Sequence, residues 1–76
     1  MPLQDSKLQT LVVSEGFENF DDWTQNGDPF DSVIPGICMN VGCTYTAGIE
    51  PDQEAGYCEA CGTTTVKSAM VLAGII

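Results

Sequence analysis

The sequence predicts a single small domain of the α+β class spanning residues 1–76. Three observations support this prediction: helical patterns near the N-terminus, β-prone sequence between two pairs of cysteines, and a wholly apolar C-terminal stretch. A chain of 76 residues buries only roughly 60% of its unfolded surface, so a metal, disulfides or a partner chain is expected to stabilise it.

Residues 1–27 are predicted to form a helical hairpin. Ser6 is the expected cap of the first helix, and Gly16 is expected to end it because glycine accepts positive φ. Asn19 is the expected cap of the second helix, which should end at Asn26-Gly27. The apolar faces of the two helices are predicted to contain Leu8, Leu11, Val12, Phe20 and Trp23.

Residues 28–37 are predicted to be an irregular connector laid over the module that follows, since Pro29, Pro35 and Gly36 interrupt regular structure. The sequence over 44–49 is β-prone, 50–56 is a polar turn, and Tyr57 opens a return strand. A short β-hairpin between the cysteine pairs is therefore expected within 38–62.

The four cysteines form the motif Cys38-x4-Cys43 and, after a 14-residue gap, Cys58-x2-Cys61-Gly62. This spacing is typical of a tetrathiolate zinc site, so all four are predicted metal ligands for one structural Zn²⁺. Iron is the alternative metal, because four thiolates suit it as well. The chain has no histidine, which argues against an open catalytic zinc site and favours a closed, structural one.

Disulfides and thiol redox chemistry are the competing interpretations of the cysteines. Disulfides belong mainly to exported chains, and residues 1–7 do not resemble a signal peptide, so a cytoplasmic location and metal binding are favoured. A redox pair at Cys58 and Cys61 would need a cation nearby to lower a thiol pKa, and the sequence offers only Lys67 there.

The chain is strongly acidic, with a formal net charge of −9 and two lysines as its basic residues. Nucleic-acid binding depends on Lys and Arg to neutralise phosphates, so direct binding to DNA or RNA is disfavoured. The acidity is compatible with simple solubility, and alternatively with a basic partner or DNA mimicry.

Residues 63–76 are predicted to form a C-terminal helix of about ten residues, capped by one of the threonines Thr63, Thr64 and Thr65. Residues 69–76 carry no polar side chain, yet they are far shorter than the roughly 20 residues of a membrane span. This helix is expected to lie in the core, or to meet a protein partner or a second copy of the chain through one face.

The motif Cys38-x4-Cys43…Cys58-x2-Cys61-Gly62 resembles the zinc-ribbon (rubredoxin-like) group, and a helix after the last pair is similar to treble-clef fingers. The segment from Val33 onward also resembles small uncharacterised proteins of bacteria and phages. The resemblance implies a bacterial or phage origin and a structural zinc, without an established activity.

The function expected from these observations is non-enzymatic: a small protein-interaction or adaptor module stabilised by its metal. A nucleic-acid-associated regulatory zinc ribbon and a thiol redox protein are the alternatives.

Overall fold

A computed structural model of the chain describes residues 3–27 and 31–75. The described residues form an α+β fold, which confirms the predicted class. Its elements in chain order are α1 (Leu3–Ser14), α2 (Phe20–Asn26), β1 (Ile34–Cys38), β2 (Thr46–Ile49), β3 (Gly56–Cys58), β4 (Thr63–Ser68) and α3 (Ala69–Leu72). The strands make one antiparallel sheet in the order β2-β1-β4-β3.

The two N-terminal helices follow the local signals of the sequence, with one exception. The Asn19 side chain accepts a hydrogen bond from Asp22 N at 2.8 Å and caps α2, and Gly16 follows α1 with φ of +94°. The predicted cap at Ser6 is wrong, because α1 already includes Leu3. The Gln4 side chain donates to Leu72 O at 2.6 Å, so a contact with α3 supports this earlier turn.

The sheet consists of two hairpins, β1–β2 and β3–β4, joined through the central pair of β1 and β4. The prediction that the strands between the cysteine pairs form one hairpin is therefore wrong, since β2 and β3 lie at opposite edges of the sheet. The turn between them reaches the end of β4, where Ser68 N donates to Gln53 O at 3.1 Å and the Ser68 hydroxyl donates to Pro51 O.

The predicted irregular connector over 28–37 is also wrong where the structure describes it, because β1 begins at Ile34 and is a central strand. Met39, directly after β1, donates its backbone N–H to Thr65 O on β4. Successive backbone nitrogens of a strand point to alternate sides, so the nitrogen of Pro35, four residues earlier, also points towards β4. The β4 partner strand has already ended at Ser68, opposite Gly36. The missing N–H of proline therefore costs no hydrogen bond of the sheet. The predicted turn at Asp28-Pro29 and the packing of Phe30 lie outside the described residues.

Gly36 is required by close packing inside the sheet. A Cβ built on it would lie 2.9 Å from Lys67 O and would also meet the Ile49 side chain. The glycine that was expected to break regular structure therefore permits a tight central strand.

The C-terminal stretch departs most from prediction. Residues 63–68 form strand β4, and the helix that follows spans only Ala69–Leu72, capped by the Ser68 hydroxyl, which accepts from Val71 N at 3.2 Å. The run from Thr63 to Val66 is β-branched and favours a strand once β1 and β3 are available to pair with it. Ile75 is 57% exposed, and Ile76 lies outside the described residues.

The buried side chains form two groups. The larger one, called here the apolar core, lies between the helices and β1 and contains Leu11, Val12, Trp23, Ile34, Ile37, Ala69, Met70 and Leu72. The smaller one, called here the cysteine cluster, contains Cys38, Cys58 and Val66, with Cys43, Tyr45 and Ile49 packed against it. Among residues 3–27 and 31–75, no helix combines the length and apolar character needed to cross a bilayer.

Candidate metal centre

The four cysteines lie where the two hairpins of the sheet turn. Cys38 ends β1 and Cys43 lies in the loop that follows, while Cys58 ends β3 and Cys61 lies in the turn before β4. Each hairpin turn therefore supplies two thiols to the same end of the sheet.

Glycines allow both turns to curve around the cluster. Gly42 and Gly62 have φ of +82° and +71°, the left-handed conformation that glycine adopts without a Cβ clash. Among the described residues positive φ occurs only at glycines, so Asn40 in the first turn does not adopt it.

The four Sγ atoms lie within 4.8 Å of one another. The Cys38–Cys61 and Cys43–Cys58 sulfurs are each 3.8 Å apart, and both of these contacts join one hairpin to the other. A metal bonded to four sulfurs at about 2.3 Å in a regular tetrahedron separates the sulfurs by about 3.8 Å. The cluster therefore has the dimensions of a tetrathiolate metal site, and four sulfur donors suit zinc or iron.

The same distances bear on the disulfide interpretation. A disulfide places its sulfurs about 2.05 Å apart, and all four cysteines here are free thiols. The chain holds them at a distance that a bond would have to shorten by nearly half.

Backbone groups fix the second turn around its first sulfur. Cys61 N donates to Cys58 Sγ at 3.3 Å, and Gly62 N donates to Cys58 O at 2.7 Å. This contact follows from the two-residue spacer, which makes a turn tight enough to point an amide at sulfur. Such amides stabilise a thiolate, because they donate to its negative charge.

A chain of side-chain hydrogen bonds leads to Cys38. Asn40 Nδ2 donates to Thr63 Oγ1 at 3.3 Å, Thr63 and Thr65 hydroxyls are 3.0 Å apart, and Thr65 Oγ1 lies 3.1 Å from Cys38 Sγ. Because the amide can only donate at its end of the chain, the consistent orientation has each hydroxyl donating onward and sulfur as the final acceptor. This polarity favours a thiolate at Cys38.

The pKa of Cys38 is lowered to about 6. Desolvation by burial raises this pKa, but it is outweighed by hydrogen bonds from the Thr65 hydroxyl, the Asn40 backbone and the Cys43 and Cys58 thiols. Cys38 therefore loses its proton more readily than an ordinary thiol when no metal competes.

The pKa of Cys43 is raised to about 12. The Tyr45 backbone hydrogen bond lowers it, while desolvation and hydrogen bonds with the three other thiols raise it. The cluster without metal therefore keeps protons that a metal has to displace, and metal binding should be coupled to proton release.

The cluster is buried on one side and open on the other. Cys38 and Cys58 have no exposed surface, Cys43 is partly buried and Cys61 is exposed. A bound metal would be held from the interior of the sheet and approached from solvent near Cys61.

Sequence reasoning missed Lys7, which belongs to this site. Lys7 lies on α1 and is only 6% exposed, and its ammonium donates to Asn40 O at 2.7 Å and to Cys43 O. Its position four residues before Leu11, on the buried face of α1, was the signal in the sequence. The cation nearest to the cysteines in sequence, Lys67, makes neither of these contacts.

The aromatic residues near the site differ in burial. Trp23 is buried in the apolar core and Tyr45 packs against the cysteine cluster. Tyr57, on β3, is 59% exposed.

Comparison of the chain with protein families, with curated proteins and with solved structures finds no match. The interpretation of the site therefore depends on its own geometry and chemistry.

Proposed function

We propose that the chain is a small non-enzymatic protein-interaction or adaptor module of the zinc-ribbon type, in which one structural Zn²⁺ is held by Cys38, Cys43, Cys58 and Cys61. The 3.8 Å sulfur separations support the proposal most directly, because they match the edge of a tetrahedral tetrathiolate site. Zinc would stabilise the two hairpin turns and cross-link the two hairpins of the sheet.

A structural role fits the ligand set better than a catalytic one. Four thiolates complete the tetrahedral coordination of zinc and leave no position for a water or a substrate. The chain has no histidine to act as a general acid or base near neutral pH. Iron in the same ligand set would supply one-electron redox chemistry, which is the alternative that metal analysis distinguishes.

A binding role is supported by apolar side chains that the fold leaves outside. Leu3 at the start of α1 is 45% exposed and Ile75 after α3 is 57% exposed, and the bond from Gln4 to Leu72 O joins these two regions. Because Ala69, Met70 and Leu72 are buried in the core, a partner or a second copy that binds at α3 would contact this edge.

Metal analysis of the purified native protein tests the proposal. We expect about one zinc per chain by native mass spectrometry, lost together with the folded structure in the Cys58→Ser variant. A folded protein without metal, or one with two disulfides, would contradict it.

Analytical ultracentrifugation of wild type and Ile75→Ser tests the binding edge, since self-association should weaken in the variant.

A further inference from the structure

Lys7 is a buried cation whose hydrogen bonds go to the first cysteine turn. Its ammonium donates to two backbone carbonyls, Asn40 O and Cys43 O. Cys43 is one of the proposed ligands, and Asn40 lies in the loop between the ligands Cys38 and Cys43. The residue is 6% exposed, although lysine is almost never fully buried unless it is paired.

Two backbone carbonyls satisfy the ammonium as a donor, but neither of them carries a formal negative charge to compensate it. A buried charge without a counter-charge is strongly destabilising, so the structure should provide a negative group nearby. On the proposed function, that group is the metal centre, because Zn²⁺ with four thiolates carries a net charge of −2. Cys43 is one of the four cysteines of the cluster, and its carbonyl accepts a hydrogen bond from Lys7.

We infer that Lys7 is the counter-cation and positioning residue of the metal centre. It compensates part of the charge of the metal–thiolate group and holds the turn over residues 38–43 in the shape that presents both sulfurs. It lies on α1, so the same contact attaches the N-terminal helices to the metal end of the sheet.

Asn40 shows why this contact can position a ligand. Its carbonyl accepts from Lys7 and from Cys43 N, and its side-chain amide donates to Thr63, which begins the hydroxyl chain ending at Cys38. Without the Lys7 ammonium, Asn40 would lose one of the hydrogen bonds that hold it in place, and Asn40 contacts both cysteine turns.

The charge role predicts a shift in reduction potential. In protein loaded with iron instead of zinc, reduction changes the tetrathiolate centre from −1 to −2, and a nearby positive charge favours the more negative state. We expect Lys7→Met to lower the midpoint potential measured by protein-film voltammetry, and Lys7→Arg to restore it towards the wild-type value.

Lys67→Met is the matched control, because it removes the same charge from strand β4. Its midpoint potential should move less than that of Lys7→Met. Equal shifts in the two variants, or an unchanged potential in Lys7→Met, would overturn the inference, since a purely structural lysine has no reason to favour the reduced state.

A measurement on the unmodified chain decides the case if Lys7→Met does not fold. Replacing Zn²⁺ with diamagnetic Ga³⁺ changes the charge of the centre from −2 to −1 without introducing unpaired electrons. We expect the ¹⁵N resonance of the Lys7 ammonium to shift, and its protons to exchange faster with water in the gallium protein. A Lys7 signal that moves no more than that of Lys67 would overturn the inference.

Failure of this inference differs from failure of the proposed function. A wild-type chain that binds no metal contradicts the metal site itself. The metal site stands, and only the role of Lys7 is lost, if the chain binds one metal but the two tests fail. In that case the potential is the same in wild type and Lys7→Met, and the Lys7 ammonium signal is the same in the zinc and gallium proteins.

Discussion

The apolar core and the cysteine cluster stabilise the same sheet by different means. The apolar core joins α1, α2, α3 and β1 through eight buried side chains that include Leu11 and Ile37. The cysteine cluster contains one buried aliphatic side chain, Val66, besides the buried thiols of Cys38 and Cys58. Strand β1 belongs to both groups, because Ile37 lies in the core and Cys38 lies in the cluster.

This difference assigns separate sources of stability to the two ends. Apolar burial contributes roughly 1.5–3 kcal/mol for each large side chain, which can hold the helices on β1. Val66 offsets little of the backbone entropy of ordering two hairpin turns, which costs about 1–2 kcal/mol per residue. On the proposed function, the cysteine end therefore depends more on a bound ion than the helical end does.

The largest expected effect comes from removing the metal. Structural zinc sites bind with an apparent free energy of about 10–16 kcal/mol, and whole domains are stable by only about 5–15 kcal/mol. We expect a strong chelator to abolish hydrogen-exchange protection in all four strands, with at most residual helical signal in the circular dichroism spectrum. Readdition of Zn²⁺ should restore both, whereas strands that stay protected without metal would show that the cluster orders itself.

Leu11→Ala tests the other end. Removing a fully buried leucine costs about 2–5 kcal/mol, because it loses apolar contact and leaves a cavity. We expect the loaded protein to unfold at lower denaturant concentration while still carrying one metal. Val13→Ala is the control, since Val13 is 54% exposed and should change stability by about 0.5 kcal/mol or less. Loss of metal from Leu11→Ala would mean that the two ends are not separable.

Thr65→Val tests the hydrogen bond to Cys38 Sγ. Groups that contact metal ligands typically contribute 10–100-fold in metal affinity, so we expect zinc affinity to fall by about that factor. Competition with a zinc indicator measures it. Thr64→Val changes the neighbouring, exposed threonine and should leave the affinity unchanged. Equal affinities in wild type and Thr65→Val would assign no role to the hydroxyl chain.

The smallest expected effect is the pH dependence of the metal-free chain. Cys38 has a pKa of about 6 when folded and an unperturbed value of 9.0, so between these values only the unfolded state holds its proton. Stability from Cys38 is therefore present above pH 9 and lost as the pH falls through 6. Cys43, with a pKa raised from 9.0 to about 12, has the opposite effect, and its contribution is lost as the pH rises from 9 towards 12.

We accordingly expect the small folded population that remains after chelator treatment, measured as the residual circular dichroism signal, to be greatest near pH 9. The rise between pH 6 and 9 should be shallower in Thr65→Val, which lacks a hydrogen bond that lowers the Cys38 pKa. A folded fraction that is flat from pH 6 to 9 would contradict the thiolate character of Cys38.

Local signals in the sequence predicted local structure well. Asn19 caps α2 and Gly16 follows α1 because capping and positive φ depend on neighbouring residues alone. The grouping of Cys38, Cys43, Cys58 and Cys61 was predictable for a related reason, since two short turns each fix a pair of thiols.

Pairing between distant strands was not predictable from these signals. The β-branched run from Thr63 was assigned to a helix because an apolar stretch follows it, yet β1 and β3 pair with it as a strand. Pro35 and Gly36 locally predict an interruption. Pro35 fits the central strand because β4 ends opposite Gly36, and Gly36 fits because Lys67 O and the Ile49 side chain leave no room for a Cβ. Each error ignores a partner strand that is remote in sequence.

By itself, the sequence determined the chemistry of the cysteine end: which thiols can meet, how glycines turn the chain around them, and how few cations the chain offers. Only the tertiary structure decided which strands pair and that Lys7 is buried against the first turn, 33 residues from Asn40. The physical reason is that spacing and capping act within a few residues. Sheet order and the burial of a charge depend instead on which distant surfaces come together when the chain folds.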